Sequence, residues 1–114
     1  MSKVENEKHE LPFAALLSNR RRINVSRYLL EENPEFPVDV GQLAEGVAAI
    51  EYGKSAERVS GDEKHRVYVA LIQSHLDPLD QENVVQFDSD RKTVRPGANL
   101  RQFYSFAMLL LALT

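Results

Sequence analysis

The sequence predicts a mainly α fold that carries a small β-hairpin, an α+β domain closed by an apolar C-terminal helix. Apolar residues recur at helical spacing in successive segments between Leu11 and Leu79. Two short runs of strand character, "VVQFD" and "TVRPG", flank the polar "SDRK". The last stretch, "FYSFAMLLLALT", is apolar on every face. A chain of 114 residues, 43% hydrophobic and 27% charged, has the composition of one ordinary globular domain with a modest core.

The opening "MSKVENEKHE" is charged throughout and lacks the apolar run of a signal peptide, so residues 1–10 are expected to form a flexible tail. Leu11, Phe13, Leu16 and Leu17 then predict a short helix. A second helix is expected from Arg20 to Glu32, with Val25, Tyr28 and Leu29 on its core face and Ile23, Ser26 and Leu30 beside them. Asn33-Pro34 ends it, because the residue before proline is pushed from the helical region. "FPVDV" has room for a small strand only. Asp39 stands where a cap would start a helix over Val40 to Glu51, with Leu43, Val47 and Ile50 on one face.

"SGDE", Ser60 to Glu63, is a capping box that opens a long helix. Its core stripe is expected at Tyr68/Val69, Ile72, Leu76 and Leu79, with Pro78 kinking it or ending its regular part. The hairpin follows directly, and Pro96-Gly97 stops its second strand. The domain is thus expected over residues 11–97 and the final helix over 98–114.

The net charge of -3 argues weakly against nucleic acid, but the charge is segregated. Residues 20–30 hold four arginines and no acid, whereas residues 31–63 hold nine acids and two bases. Residues 77–90 hold five acids and no base, and residues 91–101 hold four bases and no acid. Two basic blocks can therefore meet on one face of a fold.

The order helix, helix, strand, helix, helix, hairpin, helix resembles a winged helix-turn-helix domain. "SHLDPLDQENVV" is similar to the end of a recognition helix entering its wing, commonly written His-Leu-x-x-Leu-x-x-x-Gly-Val-Val. Asn83 stands where glycine is usual, and asparagine is the next-best residue for a left-handed backbone. "LLSNRRRINVSRYLL", "PVDVGQLAEGVAAIE" and "HRVYVALIQSHLDPLD" resemble a family of small winged-helix proteins from halophilic archaea, over Leu11 to Pro96. Ile23 and Asn24 depart from its basic-aromatic run, and the acidity is mild for such a source.

The resemblance implies a cytoplasmic regulator that lays the helix from Gly61 in the major groove of duplex DNA. Lys64, Arg66, Ala70, Gln73 and Asp77 would then face outward. Arg66 and Gln73 are the expected base readers, since arginine pairs bidentately with guanine and glutamine with adenine. Arg91 and Lys92 at the wing tip, assisted by Arg95, are expected on phosphate or in the minor groove. Arg20, Arg21 and Arg22 sit at a helix start, where the dipole disfavours cations. They are expected to contact phosphate or to pair with acids of residues 31–63, in the same subunit or a partner.

No catalytic arrangement, metal site or cofactor motif is expected. Cysteine is absent, so there is no thiolate ligand or nucleophile. His65 and His75 lack ligand spacing, no HExxH occurs, and the five glycines form neither GxGxxG nor a P-loop. His75 reads as a partly buried structural residue.

A membrane span needs about 20 apolar residues, and the final run offers 12 from Phe103 to Thr114. A homodimer interface is therefore expected on this helix. One stripe holds Leu100, Phe103, Ala107 and Leu110; another holds Tyr104, Met108 and Leu111. Either could face the domain. The alternatives are a winged-helix protein–protein module that binds no DNA, and the cytoplasmic part of a membrane-tethered regulator if the chain continues.

Overall fold

A computed structural model describes residues 13–114. The expected tail, residues 1–10, and Leu11 lie outside the described residues. Helix α1 (Ala14–Leu17) precedes α2 (Arg20–Arg27), which continues as a π-helical segment (Tyr28–Glu32). Strand β1 (Val38–Asp39) leads into α3 (Val40–Tyr52), and a 3-10 turn (Ala56–Arg58) precedes α4 (Gly61–Ala70). Helix α4 runs through a π-helical segment (Leu71–His75) into α5 (Leu76–Gln81). Strands β2 (Val85–Asp88) and β3 (Thr93–Pro96) and helix α6 (Leu100–Ala112) complete the fold.

The fold is mostly helical with one small antiparallel sheet. The expected hairpin gains a third strand, giving the order β1-β3-β2. Val38 pairs with Val94 and Asp39 with Thr93, while Phe87 pairs with Val94 from the other side. Alternation then turns Val38, Val85 and Val94 into the core and leaves Gln86, Asp88 and Arg95 exposed.

Local chemistry sets most helix boundaries. The Asn19 side chain accepts the Arg21 amide at 2.9 Å and opens α2. Ser60 and Glu63 form the reciprocal box at the start of α4, with bonds of 3.0 and 2.9 Å. Asp39 occupies the cap position of α3, but its side chain makes no capping bond. The Val40 amide instead donates to the Lys92 carbonyl at 2.9 Å, so the hairpin anchors that helix start.

The core runs through Val25, Tyr28 and Leu29 of the second helix and Leu43 and Val47 of α3, as the spacing predicts; Ile50 is half-buried. Gly46 has a packing role: a Cβ there would overlap the Tyr28 ring. The stripe on α4 differs from expectation. Val67 and Leu71 are fully buried, while Tyr68, Val69 and Ile72 are half-buried. A regular helix through Leu76 and Leu79 places the stripe one residue late, because Leu71 and Leu76 are five apart. The π-turn, with the Leu76 amide on the Leu71 carbonyl, brings both to the core.

The handover from α5 to β2 is a Schellman motif built on Asn83. Its φ is 62°, the Asn83 amide donates to the Asp80 carbonyl at 2.9 Å, and the Val84 amide to the Leu79 carbonyl at 2.9 Å. The turn is then clamped from the far end of β3. Gly97 donates to the Val84 carbonyl at 3.0 Å and Asn99 to the Asn83 carbonyl at 2.8 Å, and a Cβ on Gly97 would overlap that carbonyl.

On helix α6 the first of the two expected stripes faces the domain, except at Leu110. Leu100, Phe103 and Ala107 are buried in the chain's own core, Phe103 in an edge-to-face contact with Phe13 at 5.6 Å. Met108 and Leu111 pack half-buried against the same core, and the Tyr104 hydroxyl donates to Glu31 at 2.9 Å. These six side chains serve the fold of one chain. Among the described residues the exposed large apolar side chains are Leu109, Leu110 and Leu113.

The Asn83 turn gives a direct test. Asn83→Gly should leave stability within about 0.5 kcal/mol of the parent, whereas Asn83→Ala should cost about 1 kcal/mol, because a Cβ without a polar end is disfavoured in the left-handed region. Urea unfolding of the two variants checks this; equal stabilities would contradict the assigned backbone.

Candidate nucleic-acid interface

The arginine block at the start of α2 is divided among partners within the chain. Arg21 makes a bidentate pair with Glu51 of α3, at 2.7 and 2.6 Å. Arg27 pairs with Glu31 one turn later at 3.3 Å. Arg20 alone of the three leading arginines is exposed to solvent. Of the two expected uses, pairing with the acids of residues 31–63 is the one seen for Arg21.

Arg22 has a different task. Pro78 has no N–H and so cannot donate to the Ser74 carbonyl four residues before it. Arg22 does so: Nη2 donates to that carbonyl at 3.1 Å while Nε donates to His75 Nδ1 at 2.9 Å. A single guanidinium thus fills the gap left by the proline and fixes the His75 ring. His75 is buried, and burial, then the charges of Arg22 and Arg21, push its pKa down to about 4. The imidazole is a neutral acceptor at pH 7, as a structural histidine should be.

Helix α4 presents its polar side to solvent. Asp62, His65, Arg66 and Gln73 are exposed, and Lys64 is half-buried with its stem passing Gly41. Arg66 is steadied by a 3.3 Å bond from Nη1 to the Tyr52 hydroxyl at the end of α3. Lys54 reaches over to Glu63 at 2.8 Å, which with the Ser60 amide holds that carboxyl below its usual pKa range. The end of α3 is thereby pinned to the start of α4.

The hairpin tip is equally defined. Asp88 Oδ1 accepts the amides of Asp90 and Arg91, each at 3.0 Å. Lys92 takes a left-handed backbone, φ 56°, and its ammonium donates to the Ser89 carbonyl. Arg91, Lys92 and Arg95 are all exposed, with Asp88 and Asp90 exposed beside them. Asp80 of α5 accepts the Phe87 amide at 2.7 Å, which closes the outer edge of β2 and ties the hairpin to the helix before it.

The expected site residues therefore separate. Arg66, Gln73, Arg91, Lys92 and Arg95 are exposed, Lys64 is half-buried, and Arg21 and Arg22 are engaged within the chain. The positioning contacts of Tyr52, Lys54 and Asp80 escape sequence reading, because each joins residues whose proximity only the fold creates. Among the described residues no group of three or more His, Asp or Glu is arranged to hold a metal, and no helix is long and apolar enough to cross a membrane.

A family model described as a domain of unknown function, DUF7344, matches residues 14–95. No curated protein and no solved structure matches the chain.

His75 carries a pH prediction. Its folded pKa lies near 4 against an ordinary 6.5, so the unfolded chain binds the proton first as pH falls. The stabilisation is complete above pH 6.5 and is lost between pH 6.5 and 4, by about 2 kcal/mol after discounting for residual solvent. His75→Gln should remove that part of the pH dependence. Proton NMR of the imidazole checks the cause, and titration near 6.5 in the folded protein would contradict it.

Proposed function

The chain belongs to the DUF7344 family, and we propose that it is a homodimeric winged-helix protein that binds duplex DNA, a cytoplasmic transcriptional regulator of archaeal type. The observation that carries this is a set of exposed polar side chains: Arg66 on α4, Gln73 on the π-helical segment after it, and Arg91, Lys92 and Arg95 on the hairpin. The three-stranded order β1-β3-β2 and the direct passage from α5 into β2 through Asn83 are consistent with a wing that follows a recognition helix.

In this mechanism Arg66 and Gln73 read base edges in the major groove, and the hairpin bases sit on phosphate. The bond from Arg66 to Tyr52 and the Asp88 turn hold both sets before DNA arrives, which lowers the ordering cost of binding. Arg21 and Arg22 act through the fold instead. Two copies related by a two-fold axis meet successive major grooves about 34 Å apart.

One observation favours a second reading, a module for protein association. Asp62, Asp77, Asp88 and Asp90 are exposed among the same bases and weaken the field felt by phosphate.

Affinity measurements on variants decide between them. Arg66→Ala or Gln73→Ala should cost about 1–3 kcal/mol on the selected site and relax preference at one base position. Arg91→Ala and Lys92→Ala should each weaken all duplexes alike and reduce the salt slope by about 1. Arg21→Ala should lower stability and leave the affinity of the folded protein unchanged. If the parent protein binds duplex no better than an unrelated acidic protein, DNA binding is rejected and the protein-association reading takes its place.

A further inference from the structure

A cleft of about 220 Å³ opens where the π-helical end of the second helix, the link into β1 and the turn from β3 into α6 meet. The buried Leu29 and Leu100 and the half-buried Leu30 and Phe36 give it an apolar surface. Leu29 and Leu30 are consecutive, and both line it from the wide π-turn, a backbone form frequent at functional sites. Two exposed polar side chains, Asn33 and Arg101, line it as well. Asn33 takes a left-handed backbone, φ 49°, where the second helix ends. No carboxylate lines the cleft, and Arg101 is its one charged group. Among the described residues the ion pairs are those of Arg21, Arg27 and Lys54, so Arg101 has no acidic partner there.

We propose that this cleft binds a small apolar carboxylic acid as its anion, the carboxylate on Arg101 and the hydrocarbon body on the leucines and Phe36. A guanidinium offers a carboxylate two parallel N–H groups, and the Asn33 side-chain amide can add a third donor. A cationic ligand would meet Arg101 and find no countercharge in the lining. An anion without an apolar body would leave the leucines and Phe36 in contact with water, whereas a ring or a branched chain covers them. The volume lies below the roughly 300–1,000 Å³ of sites for drug-sized molecules, which limits the body to one ring or a short chain. Neither the expected base readers nor a second copy of the chain takes part, so the site stands whether or not the protein binds DNA.

Amide NMR of the full chain, titrated with phenylacetate and with isovalerate, tests the site with a ringed and a branched acid. At least one should shift the signals of Leu30, Asn33, Gly97 and Arg101 together, with a Kd of about 1 mM or tighter. Acetate keeps the charge and lacks the body; phenylacetamide and isovaleramide keep the body and lack the charge. Each of these should bind about tenfold more weakly or worse. Arg101→Leu should lose about tenfold in affinity for the acid with an unchanged far-UV circular dichroism spectrum. Arg58→Leu, at an exposed arginine of the 3-10 turn, should bind the acid as the parent does. No localised shift with either acid, acetate binding as well as both, or an Arg101→Leu protein that binds like the parent overturns the proposal.

Discussion

The junction where Arg22 crosses from α2 to the π-turn before Pro78 is the constraint on which the arrangement of helices depends. A chain that must bury Val67, Leu71, Leu76 and Leu79 along one line needs a wide turn at Leu71–His75. Pro78 cannot donate to the Ser74 carbonyl at that place, and Arg22 provides a donor from another element. The same guanidinium orients His75, which burial first and then the arginine charge keep neutral. Helix α2 is thereby fixed to the far end of the α4–α5 unit through polar bonds as well as packing. The bond to the exposed Ser74 carbonyl adds modestly, while the bond to the buried His75 ring is the one that solvent cannot replace.

From that junction the remaining geometry follows in sequence. Helix α5 ends at Asn83, whose left-handed backbone reverses the chain into β2 without an intervening loop. The close approach of Gly97 and Asn99 to the same turn returns β3 to the start of α6. Helix α6 lies back along α2, buried through Leu100, Phe103 and Ala107 and tied by Tyr104 to Glu31. Its last turns, past the edge of the core, leave Leu109, Leu110 and Leu113 in solvent.

Features set by neighbours in the chain were legible in the sequence. The capping box of Ser60 and Glu63, the turn at Asn83, the end of the second helix at Asn33, and the buried Val25, Leu29, Leu43 and Val47 rest on spacing and local backbone preference. What escaped depends on contacts between distant residues. The partners of Arg21 and Arg22 lie 30 and 53 positions away, so the run could be read as a basic patch or as an internal bracket. The π-turn moved the α4 stripe by one residue, because a five-residue gap between leucines has no mark of its own. A small strand was expected in "FPVDV", but its pairing with β3 was not, because Val38 and Val94 lie far apart in the chain. On α6, apolar residues on every face concealed which side the domain covers. The expected base and phosphate contacts were chosen by residue type, and their exposure on α4 and the hairpin is the part the structure adds.

The central claim, that α4 and the hairpin read duplex DNA, is tested most directly by selecting bound sequences from a random duplex pool across a salt series. An enriched two-fold symmetric motif is expected, with half-sites about one helical turn apart and affinity that falls steeply as salt rises. A dimeric protein that enriches no sequence at any salt concentration would contradict it.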